Sequence, residues 1–509
     1  MKIKSLDSFG EKQSKNHKLT RSDIEAILKK AADLIRTRVD YKFILILLFL
    51  KRISDKWEME YQKAYEEAIK DGLSEEEARQ EAKHQDWHTF NLPEEFLWEN
   101  IRKNVATLPE ILSKALKKIA ELNPDLRNVV DSVDFIQFTS NRENLEILRQ
   151  LIELFSEKKL SHVSPDILGD AYEWVLRYFA PQKAKEGEVY TPREVIKLMV
   201  EILDPKPNEA VYDPASGSGG MLIVSYNYVK EKFGKDAEKL FLYGQEANLT
   251  TYALCKMNLY IHDIMNHNIA HGDTLLFPKF KEKKFDVCIT NPPWNQDGYD
   301  EATLKKGEMW KQRFKYGFPP RQSADWAWIQ HMLYFAKENG RIGIVIDNGC
   351  LFRGGKEKAI RRRVIEEDLI DCVILLPEKL FYNTGAPGAI IIFNKNKDEK
   401  RKGKILFINA SQEYEQHPEV RKLNRLSKEH IKKIAQAYHN FDEIEGFSRA
   451  VSIDEIKEND YNLNVTLYVF PEEEIEEIDV TEEWEELRKI EDEIKEVEKK
   501  IEEFVNELG

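Results

Sequence analysis

Little in this chain of 509 residues offers a covalent or metal framework. Its four cysteines, Cys255, Cys288, Cys350 and Cys372, are scattered without a CxxC pair, which excludes a disulfide scaffold and zinc-finger spacing. Buried, reduced thiols and no metal are the expectation. Long apolar runs are also missing: the longest, FILILLFL from Phe43 to Leu50, falls far short of the roughly 20 residues of a membrane span and is closed by Lys51 and Arg52. It reads as a buried helix segment. The first residues, MKIKSLDSFGEKQSKNHK, contain no apolar h-region, so neither signal peptide nor anchor is indicated and the cytoplasm is the expected location. Positive charge is not in excess either. A net charge of -14 excludes a grip on nucleic acid through bulk charge, so any such contact is local or comes from a partner. There is no P-loop GxxxxGK[ST], nuclease-like carboxylate cluster, internal repeat or low-complexity linker, so strand cleavage is not expected.

What is present is 42% hydrophobic residues, enough for more than one core, in a chain whose patterning changes along its length. Residues 1–160 read as an all-helical domain, nearly free of glycine from about residue 20, with SDIEAILKKAADLI opening on an N-cap at Ser22. Residues 161–410 begin with one more helix, SPDILGDAYEWVLRYFA. Then come short β-branched runs alternating with helical stretches, the mark of a parallel α/β sheet. Seven strand candidates (AVYDPA, LFLYGQE, HNIAHGD, FDVCITN, GRIGIVID, DLIDCVILLP and GAIIIFNK) make a doubly wound core ending near residue 410, with KILFINA as a further pairing segment. Residues 411–470 form a mixed connecting region. Residues 471–509 carry a heptad-like seam, Trp484, Leu487, Ile490, Ile494, Val497, Ile501 and Val505, which one helix cannot bury alone and which calls for a partner helix.

The first chemical signal is VYDPASGSGG, Val211 to Gly220: a strand, an acid, then glycines that open a helix. Glycines let the backbone turn tightly and approach a ligand, and the helix offers free N–H groups. The spacing is not GxGxxG. Asp213 before the glycines would repel pyrophosphate but suits a cationic ligand such as the amino-acid end of S-adenosylmethionine (SAM). Glu246, closing LFLYGQE, stands where nucleotide folds place the acid that takes the ribose hydroxyls. Asp273, in HNIAHGDTL, is placed to meet an adenine amino group or, alternatively, only to form a turn.

The most specific stretch is FDVCITNPPWNQ, an apolar run stopped by Asn291, Pro292, Pro293 and Trp294. An exocyclic amine on adenine is a poor nucleophile because its lone pair is delocalised into the ring. The Asn291 side-chain oxygen and the rigid Pro292 carbonyl can both accept from that NH2, turning its lone pair toward a methyl donor. Trp294 offers a ring face on which an extruded base can stack.

DPASGSGG followed by NPPW, with GEVYTP upstream, resembles the amino-methyltransferase family of SAM-dependent enzymes. Over residues 20–509 the chain is more closely similar to the modification (M) subunit of type I restriction-modification systems, through ILGDAYEWVLRYFA, GEVYTPREVIKLMV, DWAWIQHMLYFAKENGRIGIVIDNGCLFRGGKEKAIRRR, LFYNTGAPGAIIIFNK and DYNLNVTLYV. The resemblance implies a Rossmann-like seven-stranded SAM-dependent methyltransferase core, with an all-helical N-terminal domain and a coiled-coil-like C-terminal helix. The implied activity is transfer of the SAM methyl group to N6 of a flipped adenine in double-stranded DNA.

Glu188, Tyr190 and Thr191 would lie over the methionine end of SAM, and Asp213, Ala215, Gly217, Ser218 and Gly219 would form the SAM loop. Glu246 would bind the ribose, Asp273 and Thr274 the adenine side, and Asn291 to Trp294 would be the catalytic tetrad. Tryptophan stands where such tetrads often have phenylalanine or tyrosine. The charged stretch after the tetrad, NQDGYDEATLKKGEMWKQRFKYGFPPRQSADW, is expected to order only on DNA.

The implied partners are a specificity (S) subunit that chooses the sequence, bound by two M subunits, and a restriction (R) subunit in the full complex. The basic run RGGKEKAIRRR makes Arg353, Lys356, Arg361 and Arg362 candidates for phosphate contacts, or else a solvated helix face. Readings that stay open are methylation of cytosine N4, of RNA or of a protein glutamine, and a non-catalytic SAM-binding scaffold. A cytosine C5 enzyme is disfavoured, since Cys288 sits inside the strand rather than next to a proline.

Overall fold

Apolar runs that are buried on both faces form the central strands, as sheets covered by helices require. In the computed structural model, which describes residues 20–35, 40–161, 163–184, 191–382, 384–418, 420–470 and seven positions between 484 and 497, the strands assemble into one nine-stranded sheet. Its strands are β1 (Ala210–Asp213), β2 (Phe241–Glu246), β3 (His267–His271), β4 (Phe285–Thr290) and β5 (Ala336–Asp347), then β6 (Ile370–Leu375), β7 (Gly388–Asn394), β8 (Lys404–Asn409) and β9 (Ser448–Ser452). The order is β9-β8-β6-β7-β5-β4-β1-β2-β3. β7 runs antiparallel to both β5 and β6, and β9 antiparallel to β8; the other pairings are parallel.

The expected seven-stranded core is present, and β8 and β9 extend it. The sheet therefore does not end near residue 410. SRAVS in β9 pairs from Ser448↔Ile408 to Ser452↔Lys404 and closes an edge that its short, half-polar text does not announce.

The chain leaves β1 for β2 and β3 on one side, then returns to lay β4 on the other, with Val211 opposite Val287. The carboxyl ends of β1 and β4 thus flank a topological switch point, where open α/β sheets bind ligands.

Before the sheet come the longer helices α1 (Arg21–Ile35), α2 (Lys42–Lys70), α3 (Leu108–Leu122), α4 (Arg142–Ser156) and α5 (Pro165–Ala184), with shorter helices and turns in the segments between them. Phe43 to Leu50 lies in α2, buried from Ile44 onward as expected, and the adjoining Lys51 pairs with Asp55 at 2.6 Å inside the same core. The α1 cap is Thr20 rather than Ser22. The Thr20 hydroxyl accepts from the Asp23 N–H at 3.3 Å and the Asp23 carboxylate accepts from the Thr20 N–H at 2.8 Å, a reciprocal pair of bonds that closes the helix start.

The helical core continues into α8 (Leu249–Ile261), which follows β2: Leu254, Met257 and Tyr260 pack in it, and the Tyr172 hydroxyl donates to the Leu254 carbonyl at 3.1 Å. All four cysteines are buried and unpaired. Among the described residues no helix is long and apolar enough to cross a membrane. Of the C-terminal seam, Trp484, Leu487, Ile490, Ile494 and Val497 are described, helical and about half exposed; Ile501 and Val505 lie outside the described residues.

Candidate active site

The loop from β1 into helix α7 (Gly220–Phe233) carries the predicted cradle. Gly217 and Gly219 adopt φ of +51° and +87°, left-handed values that tax any residue with a Cβ. A Cβ on Gly219 would sit 3.0 Å from the Cys255 sulfur, while one on Gly217 would meet nothing within 4 Å, since that glycine faces an open cleft. Thr191, Asp213, Ala215, Gly217, Ser218 and Asn291 line this cleft together. Two motifs 70 or so residues apart in the chain therefore converge at the switch point, with Thr191 as a third contributor. Glu188 and Tyr190 lie outside the described residues.

Asp213 ends β1 and is 1% exposed. One carboxylate oxygen accepts from the Thr290 hydroxyl at 2.6 Å and from the Ala215 N–H at 3.1 Å. Burial, reinforced by the negative Glu246, pushes its carboxyl up to about 7 against those two hydrogen bonds. A buried acid held this way gains most from a cation placed against it. Glu246, at the end of β2, accepts from the Gly217 N–H at 3.0 Å and the Asn248 N–H at 2.8 Å, which fixes it at the rim of the cradle.

Asp273 is not part of the cleft lining. One of its oxygens accepts from the Leu276 N–H at 3.0 Å, a turn contact, and the other from the Tyr299 hydroxyl at 2.8 Å. The buried Thr274 hydroxyl donates to the Pro214 carbonyl at 2.6 Å and ties this turn to the loop after β1.

Asn291 follows β4 and is clamped at both ends of its amide. Its Nδ2 donates to the Thr191 hydroxyl at 2.8 Å, and its Oδ1 accepts from the Trp294 indole N–H at 2.8 Å. An indole nitrogen only donates, so Trp294 sets which end of the amide is oxygen. That oxygen keeps a second lone pair. Trp294 itself is half-buried, edge to face with Phe381 at a centroid distance of 4.7 Å. The close fit needs Gly388, where a Cβ would fall 2.8 Å from the Trp294 ring. Pro292 is buried and Pro293 half-buried.

Several residues escaped the sequence reading. Arg193, in the first turn of α6 (Arg193–Leu203), binds Asp170 and, at 3.1 Å, Glu173 of α5, anchoring Thr191 against Asn291. The spacing of Asp170 and Glu173 on one helix face was the available signal.

The stretch after the tetrad folds back onto the sheet domain through contacts of its own. Arg313 is buried and donates to the carbonyls of Thr274, Leu275 and Glu308, Gly298 N–H donates to Arg321, and Tyr299 holds Asp273. The Arg313 charge is thus spent on the protein's own backbone, while Lys305 and Arg321 make exposed pairs with Glu301 and Asp297.

The basic run is corrected in part. Arg361 is 1% exposed, and its guanidinium donates to the carbonyls of Tyr461, Cys350 and Arg353, so it is an interior strut and not a phosphate contact. Arg353 is engaged by Asp347 and Glu357. Lys356 and Arg362 are exposed, Arg362 beside Glu366.

Residues 163–477 match the family model of N-6 DNA methylase, and residues 24–155 that of the HsdM N-terminal domain. The chain is 49% identical to the type I restriction enzyme MjaVII methylase subunit of Methanocaldococcus jannaschii over 94% of its own length and 83% of that protein's. It is 46% identical to the MjaVIII methylase subunit of the same organism, over 100% and 87%. Among solved structures it resembles the type I restriction-modification methyltransferase subunit from Streptococcus thermophilus, with a TM-score of 0.77 and 28% identity, covering 89% of this chain and 100% of that one.

Proposed function

The chain belongs to the N-6 DNA methylase family as a methylase subunit of type I restriction enzymes, a SAM-dependent, adenine-specific DNA methyltransferase, and from that membership we propose how its residues divide the work. Asn291 and Pro292 receive the amine of an adenine turned out of the duplex. A separate S subunit chooses the sequence. The observation that carries the reading is the single cleft at the switch point, lined at once by Asp213, Gly217, Ser218, Thr191 and Asn291.

The donor set suits SAM: Asp213 for the α-ammonium, the backbone of Gly217 to Gly219 for close approach, and Glu246 for the ribose hydroxyls. When bound, SAM supplies a methyl group on a sulfonium. The chain's own contribution is placement. The free lone pair of Asn291 Oδ1 and the Pro292 carbonyl accept hydrogen bonds from the two amine N–H groups, pulling the nitrogen lone pair out of conjugation and toward the cleft. Trp294 and Phe381 wall the site of the extruded base. Asp273, held by Tyr299, and Thr274, bonded to the Pro214 carbonyl, act on the adenine side of the cofactor from outside the cleft lining, by bracing the loop after β1.

Replacing Trp294 with phenylalanine keeps a ring to stack and removes the donor that sets the Asn291 amide. The expected result is a fall in kcat of about tenfold, the worth of one hydrogen bond, with base extrusion retained in a 2-aminopurine fluorescence assay. An unchanged kcat would show that Thr191 alone suffices.

Partner assembly is assigned to the C-terminal seam, whose described members Trp484, Leu487, Ile490, Ile494 and Val497 are exposed. Removing residues 471–509 is expected to break the complex with the S subunit on size exclusion while SAM binding persists; an intact complex would refute the assignment. The reaction itself is tested by incubating the chain, its S subunit and duplex DNA with methyl-labelled SAM and digesting to nucleosides. Label is expected in N6-methyl-2′-deoxyadenosine. Label in N4-methylcytosine, or in a protein glutamine, would overturn the reading.

A further inference from the structure

Asn295, the residue just beyond the tetrad, is held at a left-handed φ of +51°. Its N–H donates to a carboxylate oxygen of Asp325 at 3.1 Å. Asp325 opens helix α9 (Asp325–Phe335) and is fully buried, and its second oxygen has no hydrogen-bond partner. That second oxygen faces Arg353, 3.6 Å from Nη1. The same guanidinium reaches Asp347 at the end of β5 and, at 3.3 Å, the buried Glu357 of helix α10 (Gly355–Glu366). A buried carboxylate is costly unless hydrogen-bonded and paired, and this one sits at the start of a helix, against the residue that follows the tetrad. An asparagine could accept from Asn295 equally well. Only a carboxylate can also hold Arg353, and through it Asp347.

We propose that Asp325 and Arg353 are a positioning pair for methyl transfer, fixing the exit of the tetrad loop against the carboxyl end of β5, and that Arg353 therefore acts on the active site rather than on DNA phosphate. The pairing depends on the charge of Asp325. Burial, the largest influence, pushes its carboxyl up to about 6, Glu357 adding to the rise while the Asn295 N–H, Arg353 and Ser323 oppose it. The other groups around the pair are the buried Cys350 thiol, pushed up by its own burial, and Arg361, both fixed within the fold. Above about pH 6 Asp325 is ionised and the pair is made; below it the acid is protonated and its ion pair with Arg353 is lost, while the guanidinium keeps Asp347 and Glu357.

The inference rests on the reading of Asn291 to Trp294 as the catalytic tetrad. The test measures kcat against pH at saturating SAM, using the full chain assembled with its S subunit, for the wild type, Asp325→Asn and Arg353→Gln. Asp325→Asn is expected to lower kcat about tenfold at pH 8, with KM for DNA and the Kd for SAM within twofold of the wild type, and to lose the acid limb near pH 6. Arg353→Gln is expected to lower kcat similarly and leave the salt dependence of DNA binding unchanged, whereas loss of a phosphate contact would weaken binding and reduce the salt slope by about one. It also keeps the proposal testable if Asp325→Asn fails to fold. A kcat for Asp325→Asn within twofold of the wild type, a surviving acid limb, or an Arg353→Gln defect confined to DNA affinity overturns the proposal. Asn291→Ala is assayed alongside: if it retained transfer, the failure would belong to the tetrad reading and not to the pair.

Discussion

Asn291→Ala is expected to reduce methyl transfer by at least about 10²–10³-fold, the scale on which a single preorganised transition-state contact acts, while SAM binds nearly as before. The asymmetry follows from the clamp. On the proposed reading the amide oxygen, which Trp294 orients, receives the incoming amine, whereas Nδ2 is already given to Thr191 at 2.8 Å. A small loss of SAM affinity through a loosened Thr191 is consistent with this; a loss as large as that of transfer would mean that Asn291 is structural. Single-turnover transfer and calorimetric SAM binding on the same preparation separate the two.

Asp213→Ala is expected to abolish SAM binding, and Asp213→Asn to weaken it severely, because the asparagine keeps the bonds from Thr290 and Ala215 but not the charge. The alanine variant also strands the buried Thr290 hydroxyl, so the asparagine variant is the cleaner probe of charge. The sign of the pH dependence is fixed by the same burial. With the free carboxyl up at about 7, a cationic ligand must displace a proton below that pH and none above it. SAM affinity should therefore rise by up to tenfold per unit as pH increases toward 7 and level off beyond it. Calorimetry from pH 5.5 to 8.5 reads this directly. A flat profile, or undiminished affinity in Asp213→Asn, would remove Asp213 from the site.

The features legible in the sequence are those set by local chemistry. Buried parallel strands declare themselves as β-branched runs ended by Asp213, Glu246 or Asn291, and β1 to β8 follow from them. The glycine cradle and the proline-stopped tetrad likewise carry their reasons in adjacent residues.

Features set by long-range partners were not legible. The charged stretch after the tetrad resembles disordered text, because nothing nearby tells that Arg313 will reach the carbonyls of Thr274 and Leu275. RGGKEKAIRRR shows four arginines but not which one the helix turns inward; Arg361 follows the buried Ile360 and goes with it. Asp325 reads as an acid in the first turn of a helix, and only the return of the tetrad loop discloses its partner. β9 is too short and too polar to be recognised without the exposed edge of β8 that it covers.

On the proposed function this chain methylates adenine N6 at sites chosen by another subunit. Expression in a host lacking DNA methylation, with and without the S subunit, followed by mapping of modified bases across the genome, tests it most directly. N6-methyladenine in one split motif, present only when both chains are expressed, is the predicted result. A genome without modified adenine in the presence of both chains, while the purified protein still binds SAM, would contradict it.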